Sequence, residues 1–131
     1  MEIHFRIAGV LLILLALVHI FFPFYFNWKE EQKSMRLINR QMMNVHMFFV
    51  ALTVFLMGLL CVTWQAELIE TKLGKVISLG LGIFWAIRLV IQFFGYSPAL
   101  WRGKNFETTI HILFSGLWLY FSSIFLINSL A

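Results

Sequence analysis

Three histidines lie within long apolar stretches of this 131-residue chain, at positions where an ionisable side chain is costly if the stretch crosses a membrane. They are His19, His46 and His111. Neutral imidazole binds zinc, iron and copper, and two histidines can hold a haem iron between them. No two histidines have the spacing of a local metal motif. They form a site only if folding brings their separate stretches together.

Other polar residues accompany the histidines. Arg88 and Gln92 are four residues apart, so they share one face of a helix. A buried guanidinium needs an anion or several acceptors, and Glu107 is the best internal candidate. The alternative partner is an anionic or carbonyl-bearing ligand, such as a quinone head group, a lipid phosphate or a haem propionate. Asn39 and Gln41 stand near the start of the second stretch and add neutral hydrogen bonds, which completes the predicted ligand-binding set.

The composition indicates which elements carry these residues. The chain is 61% hydrophobic and 12% charged, whereas a soluble domain is about half apolar and roughly a quarter charged. A soluble fold and a disordered chain are both excluded. Four apolar stretches have the ~20 or more residues that a helix needs to cross a bilayer. They cover about 7–26, 42–64, 76–96 and 106–130, and none alternates as the strands of a membrane barrel would.

Short connections predict how the four helices are arranged. Neighbouring helices joined by short loops run antiparallel, so we expect an all-α, integral membrane, up-down four-helix transmembrane bundle that forms one domain over 1–131. In that topology the end of the first helix, the start of the second, the end of the third and the start of the fourth share one membrane face. The polar residues then lie at similar depths, roughly 6–12 Å below that face. We therefore predict a polar site in one leaflet.

Positive residues in the connections predict the orientation. One face carries Lys29, Lys33, Arg36, Arg40, Arg102 and Lys104, and the other carries Arg6, Lys72 and Lys75. The richer face should be cytoplasmic, which places both termini on the non-cytoplasmic side, and a bacterial inner membrane is the simplest host. The net charge of +4 is too small and too dispersed to indicate nucleic acid. It fits contact with the lipid bilayer and with anionic lipid.

These observations lead to a functional hypothesis. His19, His46 and His111 are predicted to bind a metal ion (Zn, Fe or Cu) or haem b. The site would serve redox or proton-coupled chemistry with a membrane quinone. The chain has no phosphate-binding loop, no His-Glu-x-x-His motif and no nucleophile elbow, so no particular reaction is specified.

The competing hypothesis is a non-catalytic membrane subunit, or a protomer of a transporter or channel, whose polar layer is structural or part of a permeation path. Ser78, Gly82 and Ala86 repeat every four residues, a spacing that lets helices approach closely. Close packing at this stripe, within the bundle or between chains, is compatible with a homo-oligomer or with partner membrane subunits. A continuous pore within one chain is disfavoured because the other half of the bundle is apolar.

Overall fold

A computed structural model describes the backbone of residues 1–25, 28–94 and 105–131, and within these ranges the side chains of 22–25, 31 and 107 are not described. The described residues form helices and no strand. The elements are α1 (Glu2–Tyr25), α2 (Trp28–Glu31), a 3-10 turn (Gln32–Ser34), α3 (Leu37–Thr63), α4 (Gln65–Glu70), α5 (Lys72–Phe94) and α6 (Asn105–Leu130).

Four of these helices, α1, α3, α5 and α6, are long and apolar enough to cross a membrane. Their most apolar windows have mean hydropathies between 1.9 and 2.5. The helical class predicted from composition is thereby confirmed, and the length and composition of these four helices support a membrane protein. Helix α3 begins at Leu37, earlier than the predicted start near residue 42, because polar residues such as Arg40 end a hydropathy window without ending a helix. The predicted span ends at Phe26 and Tyr96 lie outside the described residues.

The charged segment before α3 is held in place by a buried glutamine. Gln32 is 4% exposed, although it belongs to a stretch rich in lysine and glutamate. Its amide Nε2 donates to Asn44 Oδ1 at 3.1 Å and lies 3.3 Å from the Met43 sulfur. These contacts fasten the 3-10 turn to the second turn of α3. Much of the predicted connection over 27–41 is therefore ordered as short helical turns.

The chain divides into two compact units. The first unit covers residues 3–65 and contains α1, α2, the 3-10 turn and α3. The second unit covers residues 1–2 and 66–131 and contains α4, α5 and α6. Each unit is described by itself, and the single domain over 1–131 stays a prediction.

In the first unit, α1 and α3 touch backbone to backbone at a pair of glycines. A Cβ added at Gly9 would lie 2.9 Å from the carbonyl oxygen of Gly58, and one added at Gly58 would lie 2.8 Å from that of Gly9. Further along, Arg6 Nε donates to Gln65 Oε1 at 3.2 Å. Residues that come later in α1 contact residues that come earlier in the segment of α3 and Gln65, so the two helices run antiparallel. The buried face of α1 consists of Phe5, Ala8, Leu12, Leu15 and Ala16.

In the second unit, α5 and α6 also form an antiparallel pair. Gly82 lies against Leu126, where an added Cβ would come within 2.7 Å of the leucine side chain. Nearer the end of α5, the Trp85 indole stacks on Trp118 at 5.0 Å between ring centroids. The small residue at Gly82 is thus used for packing within the chain.

A buried asparagine joins three helices of the second unit. Asn128 is 1% exposed, and its Nδ2 donates to Ser78 Oγ at 2.7 Å and to the Leu68 carbonyl at 2.9 Å. These bonds connect α6 with both α5 and α4. All three groups are neutral, so this polar contact has the properties of a structural tie.

Candidate functional site

A polar network of the second unit is centred on the side chain of Gln92, which is 6% exposed. Its Oε1 accepts from Arg88 Nη1 and from Trp118 Nε1, each at 3.3 Å. Its Nε2 lies 3.0 Å from His111 Nδ1. We call Arg88, Gln92, His111 and Trp118 the Gln92 cluster. Three of these residues were predicted as site residues, and the structure brings them together.

The cluster is assembled by helical spacing on two antiparallel helices. Arg88 and Gln92 are one turn apart on α5 and present their polar groups side by side. His111 and Trp118 are seven residues, about two turns, apart on α6, so they share its face toward α5. The register fixed by Asn128, Gly82 and Trp85 then sets Gln92 between them.

The hydrogen-bond chemistry of the cluster fixes the protonation of His111. Arginine and the tryptophan indole are donors only, so the oxygen of the Gln92 amide must face them. The amide NH₂ group therefore faces His111, and His111 Nδ1 must accept from it. In this arrangement the imidazole is neutral and carries its proton on Nε2.

Aromatic rings surround the charged end of the cluster. The Arg88 guanidinium carbon lies 5.1 Å from the centroid of the Trp118 ring, a cation–π contact. Trp118 is 4% exposed and makes stacked contacts with both Trp85 and Phe114, whose planes are inclined to it by 13° and 10°. The guanidinium of the partly buried Arg88 thus lies over an aromatic face.

One indole of this stack is a buried donor with no acceptor in the described part of the chain. Trp85 is 2% exposed, and its Nε1 has no hydrogen-bond partner among the described residues. A buried donor without a partner costs about 1–3 kcal/mol. Most buried polar groups in proteins have a hydrogen-bond partner, as the Trp118 indole does, so the Trp85 indole is an exception that calls for an explanation.

The other two predicted histidines lie in the first unit and differ from His111 in tautomer. His19 Nδ1 lies 2.7 Å from the Leu15 carbonyl, and His46 Nδ1 lies 2.7 Å from the Met42 carbonyl. A carbonyl only accepts, so each Nδ1 carries a proton, and in the neutral ring the lone pair is then on Nε2. This is the arrangement in which imidazole binds a metal through Nε2.

These two histidines also differ in burial. His19 is part-buried and continues the packed face of α1, whereas His46 is exposed.

The remaining predicted residues are spread over both units. Asn39 and Gln41 are exposed in the first two turns of α3. Glu107 belongs to α6, one turn before His111, and its side chain lies outside the described residues. Among the described residues, no group of three or more His, Cys, Asp or Glu side chains is placed to hold a metal ion.

Comparisons with known proteins found no relative of the chain. The chain matches no family model, no curated protein and no solved structure. A functional assignment has to come from the residues of the chain itself.

Trp118 of the Gln92 cluster and the neighbouring Trp85 were not anticipated from the sequence. Tryptophans near span ends, such as Trp28 and Trp64, are explained by the membrane interface. Trp118 and Trp85 instead occur in the middle of apolar stretches, where an indole N–H has no water to bond. Their position in mid-span was the available signal, and Trp118 is spaced seven residues from His111.

Proposed function

We propose that the chain is an integral membrane protein of the bacterial inner membrane, folded as an up-down four-helix bundle with both termini on the non-cytoplasmic side. The four long apolar helices, the short connections and the excess of lysine and arginine in the first and third connections support this arrangement. The exposed apolar faces of the helices provide room for lipid, for a second copy or for partner membrane subunits.

Within this bundle, the Gln92 cluster binds the polar head of a lipophilic ligand. The observation that carries this proposal is the joining of two ionisable side chains, Arg88 and His111, from two apolar helices through one buried amide. Ionisable groups at such positions are expensive in a membrane and are by default functional. A helix pair that needed only to pack would have no use for them.

A quinone head group is the ligand class that fits this chemistry. Its carbonyl oxygens accept hydrogen bonds, and the cluster supplies donors in the Arg88 guanidinium and the His111 Nε2–H. The unpartnered Trp85 indole is a further donor beside the cluster. A flat conjugated ring also suits a site built from stacked indoles.

His111 gives the site a means of exchanging protons. Its Nδ1 accepts from Gln92 only while the imidazole is neutral, because a protonated Nδ1 has no lone pair. Adding a proton there breaks the bond to Gln92 and releases the amide that also holds Arg88 and Trp118. The protonation of His111 is therefore coupled to the positions of the other cluster residues.

Binding of a quinone to the full-length protein in nanodiscs tests this proposal. A short-chain quinone should quench tryptophan fluorescence saturably, and the substitutions Arg88→Leu and His111→Phe should each weaken binding by about 10-fold to 100-fold. That range corresponds to a hydrogen bond with a charged or strongly polar donor. The control Thr53→Ala removes an exposed hydroxyl that bonds only the carbonyl of its own helix, and it should bind like the wild type. Equal binding by all four proteins would refute the proposal.

A metal ion (Zn, Fe or Cu) or haem b is a second candidate, favoured by the tautomers of His19 and His46. Both rings have Nδ1 engaged by a backbone carbonyl, which orients Nε2 for ligation. His111 would have to give up its bond to Gln92, or move its proton from Nε2, to join them. We expect a Soret band or stoichiometric metal in the purified protein that His19→Ala and His46→Ala each abolish. A colourless, metal-free preparation would eliminate this candidate.

A non-catalytic role, as a membrane subunit or as a transporter or channel protomer, is favoured by one feature of the same cluster. Both polar atoms of the Gln92 amide already have partners within the chain. Such a network can serve structure alone. In that case the cluster variants would lose stability, while no quinone would bind to the wild type.

A further inference from the structure

A positively charged cleft lies on the first unit, and none of the histidines lines it. It is formed where α2 and the 3-10 turn meet the beginning of α3, and its volume is about 520 Å³. Pockets of this size accommodate small ligands. The lining residues are Trp28, Lys29, Gln32, Lys33, Arg40 and Asn44.

The cations of the cleft are only partly compensated. Lys33 pairs with Glu30 at 2.9 Å, and both side chains are largely exposed, so that pair is weak. Neither Lys29 nor Arg40 forms an ion pair with any residue whose side chain is described. The cleft is therefore a site of positive potential that an anion would stabilise.

The floor of the cleft is polar and buried. Gln32 is almost fully buried, and its amide is bonded to Asn44 on α3. This contact joins the short helical turns that carry Lys29 and Lys33 to the helix that carries Arg40. The cleft therefore brings cations from two ordered elements together around one opening.

The cleft also spans the boundary between charged and apolar sequence. Helix α3 qualifies as a membrane span from Leu37 onward, and Arg40 and Asn44 follow in its first two turns. Trp28 adds an amphipathic ring of the kind that is enriched at the level of lipid head groups. Lipid phosphates lie at this depth.

We propose that this cleft binds the phosphate of an anionic phospholipid, such as phosphatidylglycerol or cardiolipin. The Arg40 guanidinium provides the planar fork that pairs with two phosphate oxygens, and Lys29 and Lys33 add point charges. Asn44 and Trp28 supply neutral contacts to the head group. Inorganic phosphate shares this chemistry, but the position of the cleft at the start of an apolar helix favours the lipid.

Native mass spectrometry of the detergent-purified full-length protein tests this inference. Titration with phosphatidylglycerol should give a saturable adduct with higher affinity than phosphatidylcholine. Each removed cation should weaken binding about fivefold, so the double variant Lys29→Gln/Arg40→Gln should lose on the order of 30-fold. The matched control Lys72→Gln/Lys75→Gln removes two lysines of the second unit and should keep wild-type affinity. Arg40→Lys keeps the charge but not the fork, and its loss should be smaller than that of Arg40→Gln.

The outcomes separate a specific lipid site from its alternatives. Equal losses in the two double variants would overturn the inference, because only overall charge would then matter. Displacement of the lipid by equimolar inorganic phosphate would also overturn it and indicate a soluble anion. If the double variant fails to fold, Lys29→Gln alone decides the question, since this exposed side chain forms no described hydrogen bond or ion pair.

Discussion

Replacing Gly58 by alanine is expected to lower the free energy of unfolding by about 1–3 kcal/mol, the usual cost of overpacking. The added Cβ would lie 2.8 Å from the Gly9 carbonyl oxygen and 2.7 Å from the Ile13 side chain. A backbone oxygen cannot turn away as a flexible side chain can, so α1 and α3 must separate. Separation also loosens the neighbouring contacts of the buried α1 face.

Gly116→Ala is the matched control for this prediction. A Cβ at Gly116 on α6 would meet nothing within 4 Å, so the substitution should be neutral or stabilising by roughly 0.5–1 kcal/mol through helix propensity. Unfolding of both variants by a denaturing detergent, followed by far-UV circular dichroism, measures the difference. If Gly58→Ala is as stable as Gly116→Ala, the close approach of α1 to α3 is wrong.

The sequence was sufficient to predict the helices, because hydropathy depends on composition and needs no knowledge of partners. It was insufficient for the Gly9–Gly58 contact. The small-residue spacing that was recognised, Ser78, Gly82 and Ala86, repeats within one helix. Gly9 and Gly58 contribute one glycine from each of two helices, and nothing in either helix alone indicates that they meet.

For the candidate site, too, the sequence predicted some features and not others. The four-residue spacing of Arg88 and Gln92 predicted that they share a face, and the structure adds that Gln92 is the residue that links Arg88 to His111. Which atoms meet depends on the register of α5 on α6. That register is set by packing of Gly82 on Leu126 and of Trp85 on Trp118, and each contact joins residues that are far apart in sequence. The tautomer of His111 follows only from the complete network.

Two buried amides on the same helix pair illustrate why the Gln92 cluster is a functional candidate. Asn128 bonds a serine hydroxyl and a backbone carbonyl, all neutral groups. Gln92 bonds an arginine, an indole and a histidine, two of which can carry charge. Hydrogen bonds between neutral groups are sufficient for packing, as those of Asn128 demonstrate toward the other end of α5. The ionisable groups around Gln92 therefore require a reason beyond packing.

Gln92→Leu is expected to lower the free energy of unfolding by about 2–4 kcal/mol, since it removes a hydrogen bond from a buried indole and from two partly buried ionisable groups. Arg88 and the Trp118 indole lose their acceptor, and His111 Nδ1 loses its donor. The stacked Trp85–Trp118 pair should also shift, which near-UV circular dichroism reports. Detergent-induced unfolding measures the stability, and the quinone titration of the same variant should show no saturable binding.

Gln92→Glu keeps a side chain of similar size and changes only its hydrogen-bonding groups. The carboxylate can still accept from Arg88 and Trp118, although it cannot donate to His111 as the amide does. Most of the stability lost in Gln92→Leu should therefore return. Asn128→Leu should destabilise the protein while quinone binding persists, because the Asn128 tie lies at the opposite end of α5. A Gln92→Leu protein as stable as the wild type would show that the amide does not hold the cluster together, and the coupling of His111 to Arg88 would fail with it.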